Sequence, residues 1–413
     1  MNISLWISRR LRGGSTAGRT GAVIAIAGVA LALVVMELTL AVVVGFKHGI
    51  TAKLSGFDAQ ITVHAPYGES GNEQLPFFAV SPALLEVVDG AAGTAEVCPA
   101  IRQPGILKTD SDFQGVIFLA RQGGDSSFER SMLTAGTWPD FDADSCAMDI
   151  VLPETLATRL GVGVGDRIFS TFIIGDNVRL RRHAVAGLYR SNFADYDATT
   201  AYVSMAALRG VCGMGATGAG RLDIRGVAPE SIADVAERLQ ADLLEAAADG
   251  RVEGLFPVTT IEQTGAMYYN WLSLLDTNVV VIFILMLAVA AFTLVSSLFI
   301  LILEHIPAIG VLRALGGGRP LIRRVFVGTG MRLVVVGLVA GNVVGLTLMA
   351  LQARFHLVPL DPEMYYLSSV PVEFQPLGIV LLNAGILLAS WLILAVPART
   401  AAAVDPASAI KYE

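Results

Sequence analysis

The chain has 413 residues, of which 54% are apolar and only 16% are charged, with a net charge of −7. A soluble protein of this length carries about a quarter charged residues, so the deficit assigns part of the chain to a membrane. The acidic balance gives no footing for nucleic-acid binding.

Four apolar runs approach the ~20 residues that cross a bilayer as a helix: 22–45, 279–303, 333–351 and 377–396. The predicted fold class is an α-helical membrane protein with four transmembrane helices and a large α+β domain between helices one and two. Residues 1–19 form a cytoplasmic amphipathic N-terminus, with Ile3, Trp6 and Ile7 followed by Arg9, Arg10 and Arg12. Residues 20–46 are span one. Its apolar run exceeds the ~7–15 residues of a signal peptide, and no small-residue cleavage site follows, so an uncleaved anchor is expected. The arginines before span one, and Arg313, Arg319, Arg323 and Arg324 after span two, put both segments in the cytoplasm. Residues 47–272 then lie outside. They carry 17 Lys and Arg against 28 Asp and Glu, a net charge of −11.

Inside that block, "FDAQITVH" alternates as a strand does. "SPALLEVVDG" predicts a short helix with Ser81 as N-cap, Pro82 at N1 and Gly90 as its stop. "MDIVLPETLATRLGVGVGDRIFSTF" gives strand, helix, glycine turn and strand, and "DNVRLRRHAVAGLY" the return strand of a hairpin closing at 175–177. The helix in "SIADVAERLQADLLEAAADG" has apolar positions 232, 235, 236, 239, 243 and 244. An amphipathic segment from Thr260 is expected to run into span two, 273–303. Next come a cytoplasmic loop, 304–320, span three, 321–352, and an external loop, 353–376, whose Tyr365 and Tyr366 suit the headgroup level. Span four, 377–397, and a cytoplasmic tail, 398–413, complete the chain.

Catalytic signatures are missing. The only lysines are Lys47, Lys53, Lys108 and Lys411, and none follows a glycine, so no Walker A loop occurs in these residues. No H-E-x-x-H or G-x-S-x-G is present, and neither enzymatic activity, a metal nor a cofactor is expected. "GMGATG" at 213–218 fits G-x-G-x-x-G, but it follows a predicted helix and precedes a strand, the reverse of the dinucleotide-binding context. Cys98, Cys146 and Cys212 are odd in number and are expected as small buried hydrophobes; at most one pair could form.

The spans carry three further signals. Gly337, Gly341 and Gly345 make a small-residue face on span three, fit for a packing seam within one subunit or for a subunit interface. Glu37 lies ~25 Å into span one by helix rise, at a depth similar to Asn342 on span three and within about two turns of Asn383. It is either a neutral acid hydrogen-bonded to an Asn or a group facing a substrate cavity. Between spans two and three, Pro307 starts a helix of about nine residues that Gly316–Gly318 stop. It has Ile309, Leu312 and Leu315 at helical spacing, Val311 beside them, and Arg313 at its edge. A helix this short needs a docking partner, lipid or protein.

That last stretch, "EHIPAIGVLRALG", resembles the E-R-x-x-E-I-G-x-L-R-A-L-G signature of FtsX/MacB-type ABC permeases. It agrees at Glu304, Ile309, Gly310, Leu312, Arg313, Ala314, Leu315 and Gly316 and departs at His305 and Ala308. The resemblance extends through "VVVGFKHGITAKLSGFDAQITV", "GLYRSNFADYD", "PLDPEMYYLSSVPVEF" and "PARTAAAVDPASAIKYE" to the lipoprotein-releasing LolC/LolE branch. It implies a MacB-like periplasmic domain at 47–272 and a multi-pass location in the bacterial inner membrane. It also implies an ATPase-coupling helix at 304–320, and a non-catalytic permease driven by mechanotransmission. The implied partners are a cytosolic LolD-like ATPase dimer that binds the ATP, a second permease subunit in a homo- or heterodimer, a periplasmic LolA-like carrier, lipoprotein substrates and membrane lipids. Met36, Glu37, Leu40, Val43 and Phe46 are then candidates for a lipid cavity, and Ile173, Ile174, Gly175, Asp176 and Asn177 for a short carrier hook. An FtsX-like regulator of cell-wall hydrolases and a MacB-like efflux permease are the alternatives.

Overall fold

The computed structural model describes residues 16–66, 77–109, 112–174 and 177–401; the side chains of residues 16–18, 307, 312, 314, 363, 400 and 401 are not among the described groups. The expected surface helix before residue 16, the hairpin residues Gly175 and Asp176, and the tail from 402 lie outside the described residues. Among these, the longer helices are α1 (Thr16–Phe57), α2 (Pro82–Ala92), α3 (Met205–Cys212), α4 (Ile232–Ala248), α5 (Ala266–Glu304), α6 (Ile306–Ala314), α7 (Arg319–Phe355) and α8 (Pro376–Ala401). The chain divides into two units: Met1–Gly49 with Trp271–Leu360 and Ser369–Glu413, and Ile50–Asn270 with Asp361–Ser368.

The first unit is helical. Helices α1, α5, α7 and α8 are each long and apolar enough to cross a membrane. Two of them outrun the apolar segments that announce them: α1 continues to Phe57 and α5 begins at Ala266. Polar residues end a membrane run, but they do not end a helix. Their shared core takes Ala25, Val29, Leu33 and Met36 from α1, Leu294, Leu298 and Leu301 from α5, Phe326, Val334 and Leu338 from α7, and Ile386 and Leu394 from α8. The small-residue face of α7 packs on α1 of the same chain. A Cβ at Gly337 would stand 2.9 Å from Val29 Cβ, and one at Gly341 would stand 3.0 Å from the Ala30 carbonyl. Of the two roles open to this stripe, the structure uses the seam within one subunit.

The second unit is α+β. Its strands are β1 (Ile61–His64), β2 (Phe78–Ala79), β3 (Glu96–Lys108), β4 (Phe113–Arg121), β5 (Leu133–Gly136), β6 (Asp149–Pro153), β7 (Arg167–Ile174), β8 (Asn177–Tyr189), β9 (Thr200–Val203), β10 (Gly218–Ala219), β11 (Arg221–Arg225) and β12 (Val258–Thr260). The main sheet runs β12-β1-β11-β3-β4-β9-β6-β8-β5, with β7 paired to both β3 and β8. Among the described residues, only β4–β9 and β6–β8 are parallel. Ile101, Leu107, Phe118, Ile150, Phe172 and Leu208 fill the core.

Four local expectations are corrected. Helix α2 passes through Gly90 and stops at Gly93, whose φ of 66° suits a residue without a Cβ; Ser81 does cap it, accepting from the Leu84 N–H. On α4, Leu244 is exposed and Ala246 buried, as a 3.6-residue period from Leu239 and Leu243 requires. Strand β1 does not alternate; Ile61, Thr62 and Val63 are all buried because it pairs on both edges, with β11 and β12. The helix from Thr260 breaks at Gly265 before α5 begins.

Buried charge and aromatic contacts hold this unit together. Arg221 pairs with Asp58 at 3.1 Å and Asp223 at 2.9 Å, and Arg102 adds a longer contact to Asp58. Burial works to raise the Asp58 carboxyl, yet the two guanidinium groups hold it below the usual carboxylate range. Tyr366 is stacked on Phe193 at 4.4 Å between ring centres, and Tyr365 is exposed. The three cysteines are free, and burial pushes the Cys98 and Cys212 thiols up to about 11.

His183 supplies a pH test. It is buried, with Nε2 2.9 Å from the Ser170 hydroxyl, and burial lowers its pKa from 6.5 to about 4. The unfolded chain therefore binds more protons than the folded one between these values, and stability rises with pH across that window. Thermal melts are expected to lose stability as pH falls from about 6.5 toward about 4, by a few kcal/mol for this group. In His183→Gln that dependence flattens; an unchanged slope would assign it elsewhere.

Candidate functional site

The helical unit contains an apolar cleft of about 460 Å³ between α1, α5 and α8. Met36 and Leu40, one turn apart, form the α1 wall; Phe283, Ile284 and Leu287 form the α5 wall. On α8, Gly378, Leu381, Leu382, Gly385 and Ile386 recur on one face. Gly378 lets α8 approach: a Cβ there would meet Leu40 Cδ2 at 2.7 Å. At Gly385 a Cβ would meet nothing within 4 Å, so the cleft stays open at that level. The side chains that line it are hydrocarbon and thioether only, which accept apolar chains and offer nothing to a polar group.

Of the five residues expected at a lipid cavity, the structure brings Met36 and Leu40 to this wall. Val43 is half-buried and not part of the lining. Phe46 packs edge-on against Trp271 at 5.7 Å, next to a Lys47–Asp276 ion pair of 2.8 Å. Glu37 turns the other way. It is 1% exposed, and its carboxyl lies against Gly345 of α7. Neither carboxyl oxygen has a hydrogen-bond partner among the described residues. The expected Asn partner is taken: Asn342 and Asn383 bond each other reciprocally at 2.8 and 3.2 Å. The second N–H of each amide goes to a carbonyl of its own helix, Leu338 for Asn342 and Ile379 for Asn383, so no amide donor is left for the acid.

Helix α6 spans nine residues, as the glycines and proline predicted. Its apolar residues do not share one face. Ile309 is 4% exposed and joins the core of the helical unit, and Gly310 is buried with it. Val311 and Leu315, one turn apart, are 55% and 83% exposed. Glu304 and Arg313 are half-buried at either end. Gly316 takes a φ of 91° where the chain leaves the helix. The side chain of Leu312 lies outside the described groups.

At the hairpin, Ile174 opposes Asn177 and Ile173 opposes Val178. Ile173 is 63% exposed, and Val178 and Leu180 are 61% each. With Phe169 they make an apolar strip on the solvent face of β7 and β8. The sequence signal for that strip was the run "RIFSTFII", in which both alternating sets contain apolar residues. The α8 wall of the cleft had a weaker signal, the seven-residue spacing of Gly378 and Gly385, and the α5 wall had none.

Residues 22–242 match the family described as MacB-like periplasmic core domain. The chain belongs to that family. Residues 280–406 match a second description, FtsX-like permease C-terminal. The chain is 27% identical to the lipoprotein-releasing system transmembrane protein LolC of Xylella fastidiosa, over 94% of this chain and 93% of that one. It is 24% identical to LolC of Neisseria meningitidis serogroup B, over 94% of each. The solved periplasmic region of MacB from Actinobacillus actinomycetemcomitans is similar at 14% identity and a TM-score of 0.33, over 51% of this chain and 92% of that one.

The cleft is built from both matched parts, since α1 lies in the MacB-like match and α5 and α8 in the FtsX-like match. Its α1 wall is set by the seam behind it, and there Glu37 and Gly345 are a matched pair. A Cβ on Gly345 collides with Glu37 Oε2. Gly345→Ala is therefore expected to displace the buried Glu37 carboxyl and to cost about 1 kcal/mol of stability in denaturation of the detergent-solubilised chain. Combining it with Glu37→Ala should recover part of that loss; strictly additive losses would mean the two do not touch.

Proposed function

We propose that the chain is the permease subunit of an ABC transporter that extracts lipoproteins from the inner membrane and hands them to a periplasmic carrier. The observation that carries this reading is the apolar cleft. Lipid tails and the cleft wall are equally apolar, so an acyl chain moves from bilayer to cleft at little cost. Pushing it on toward water costs about 0.8 kcal/mol per methylene. Release thus demands an outside energy source and a receiver that covers the chain. A separate LolD-like ATPase dimer is the first and a LolA-like carrier the second.

Helix α6 suits the ATPase end. Ile309 ties it to the core of the helical unit, while Val311 and Leu315 are exposed apolar residues available to a partner. In this mechanism ATP-driven closure of the partner pushes α6, α5 moves with it, and the cleft narrows between α5, α8 and the glycine-fixed α1. A second permease subunit, identical or related, completes the path. The relatives named for lipoprotein release support the substrate class. The exposed strip of Ile173, Val178 and Leu180 suits carrier docking. The basic loop at 313–324 supports a cytoplasmic position for α6 and a periplasmic one for the α+β unit.

Depletion tests the whole reading. Loss of the chain should strand mature lipoproteins in the inner membrane; normal sorting with a cell-wall or drug-sensitivity phenotype would overturn it. The ATPase contact has its own test. Leu315→Asp should reduce ATPase co-purification more than about tenfold, because a charge replaces an apolar anchor, with the membrane level of the chain unchanged. Full retention of the ATPase would show that α6 docks elsewhere.

A further inference from the structure

The α+β unit holds a small, partly enclosed site that plays no part in the transport reading above. It lies between the end of β4, the turn at 123–126, the short helix Ser127–Ser131, the segment 138–142 and β9, with a volume of about 130 Å³. Three aromatic rings form one side: Trp138 meets Tyr202 edge-on at 5.1 Å and Phe141 at 5.8 Å. Glu129 forms the other. It is 2% exposed, and Oε1 accepts from Arg121 at 2.9 Å. Its second oxygen, Oε2, is buried with no partner among the described residues. Burial, and then the charge of Glu129, hold the Tyr202 phenol well above its usual range, so it stays neutral. Asp140 and Asp142 are exposed at the rim.

We infer that this site binds the cationic head of a basic side chain, guanidinium or ammonium, presented by a protein partner. A buried carboxylate oxygen without a donor is costly, and an entering N–H restores its hydrogen bond. Aromatic faces attract a desolvated cation. Of the charged residues around the site, Glu129, Asp140 and Asp142 are opposed by Arg121 and Arg130, and Arg121 is already spent on Glu129. The small volume suits one side-chain head. The surrounding block, residues 47–272, carries −11 and draws cationic partners toward it. The inference stands apart from the transport reading, since a cation site in this domain would serve any periplasmic partner.

The test uses the full chain in lipid nanodiscs, labelled with 5-fluorotryptophan. It has four tryptophans, and the Trp138 resonance is assigned by its loss in Trp138→Phe. The probes are Nα-acetyl-arginine methylamide, Nα-acetyl-lysine methylamide and the uncharged Nα-acetyl-citrulline methylamide. A saturable shift of the Trp138 resonance with either cationic probe, and not with citrulline, is expected. Glu129→Gln should weaken that binding by about tenfold. Asp140→Asn, on the exposed rim, keeps the Arg121–Glu129 pair and should weaken it about two- to threefold. No saturable shift, an equal response to citrulline, or unchanged affinity in both variants would overturn the assignment.

Discussion

Three glycines one turn apart on α7 let the backbone of α1 come into contact, and most of the helical unit follows from that contact. A Cβ at Gly337 would stand 2.9 Å from Val29, and one at Gly341 would stand 3.0 Å from Ala30 and Leu33, closer than side chains normally pack. Dispersion and close packing, not water exclusion, hold helices together in lipid, so small residues at the crossing are what a membrane seam needs. Once α1 is fixed by this face, its rotation is fixed as well. Met36 and Leu40 must then point toward α5 and α8, where they become the wall of the cleft. The same rotation buries Glu37 at the seam.

The seam and the cleft divide α1 into a side packed on α7 and a side that lines the cleft. A helix that moves against α1 can open or close the cleft only if α1 itself is held, and the glycine contact does that. Helix α6 is coupled to the same core through Ile309. An outside force on the exposed Val311 and Leu315 therefore acts on packed helices and not on a free loop. In the α+β unit the corresponding constraint is electrostatic. Arg221 is buried between Asp58 and Asp223, and removing one partner would leave an uncompensated charge in the sheet.

Much of this was legible in the sequence. Apolar runs marked the four long helices, Pro307 and the glycines at 316–318 marked α6, and the patterns around 149–189 marked a strand, a helix and a hairpin. What escaped has physical reasons. Uniformly apolar helices carry no period to show which side faces a cleft, so Phe283, Ile284, Leu287 and Leu381 gave no signal. Depth along a helix is readable from sequence but rotation is not, so the sequence leaves Glu37 either on an Asn or facing a cavity, whereas in the structure it faces Gly345 and the two Asn bond each other. Ile309 and Leu315 looked like one face, but their six-residue separation puts them about a third of a turn apart. The cation site draws on residues from 119 to 203, and only the sheet order brings β4 and β9 side by side.

The central claim is that acyl chains occupy the cleft, and site-specific photo-crosslinking tests it most directly. Benzoylphenylalanine placed at Leu381, on the cleft wall, should capture the acyl moiety of newly made lipoprotein in inner-membrane vesicles. The same probe at Val343, an exposed residue of α7 outside the cleft lining, should not. ATP should remove the Leu381 product in the presence of the carrier. Equal capture at both positions, or none at Leu381, would contradict the account.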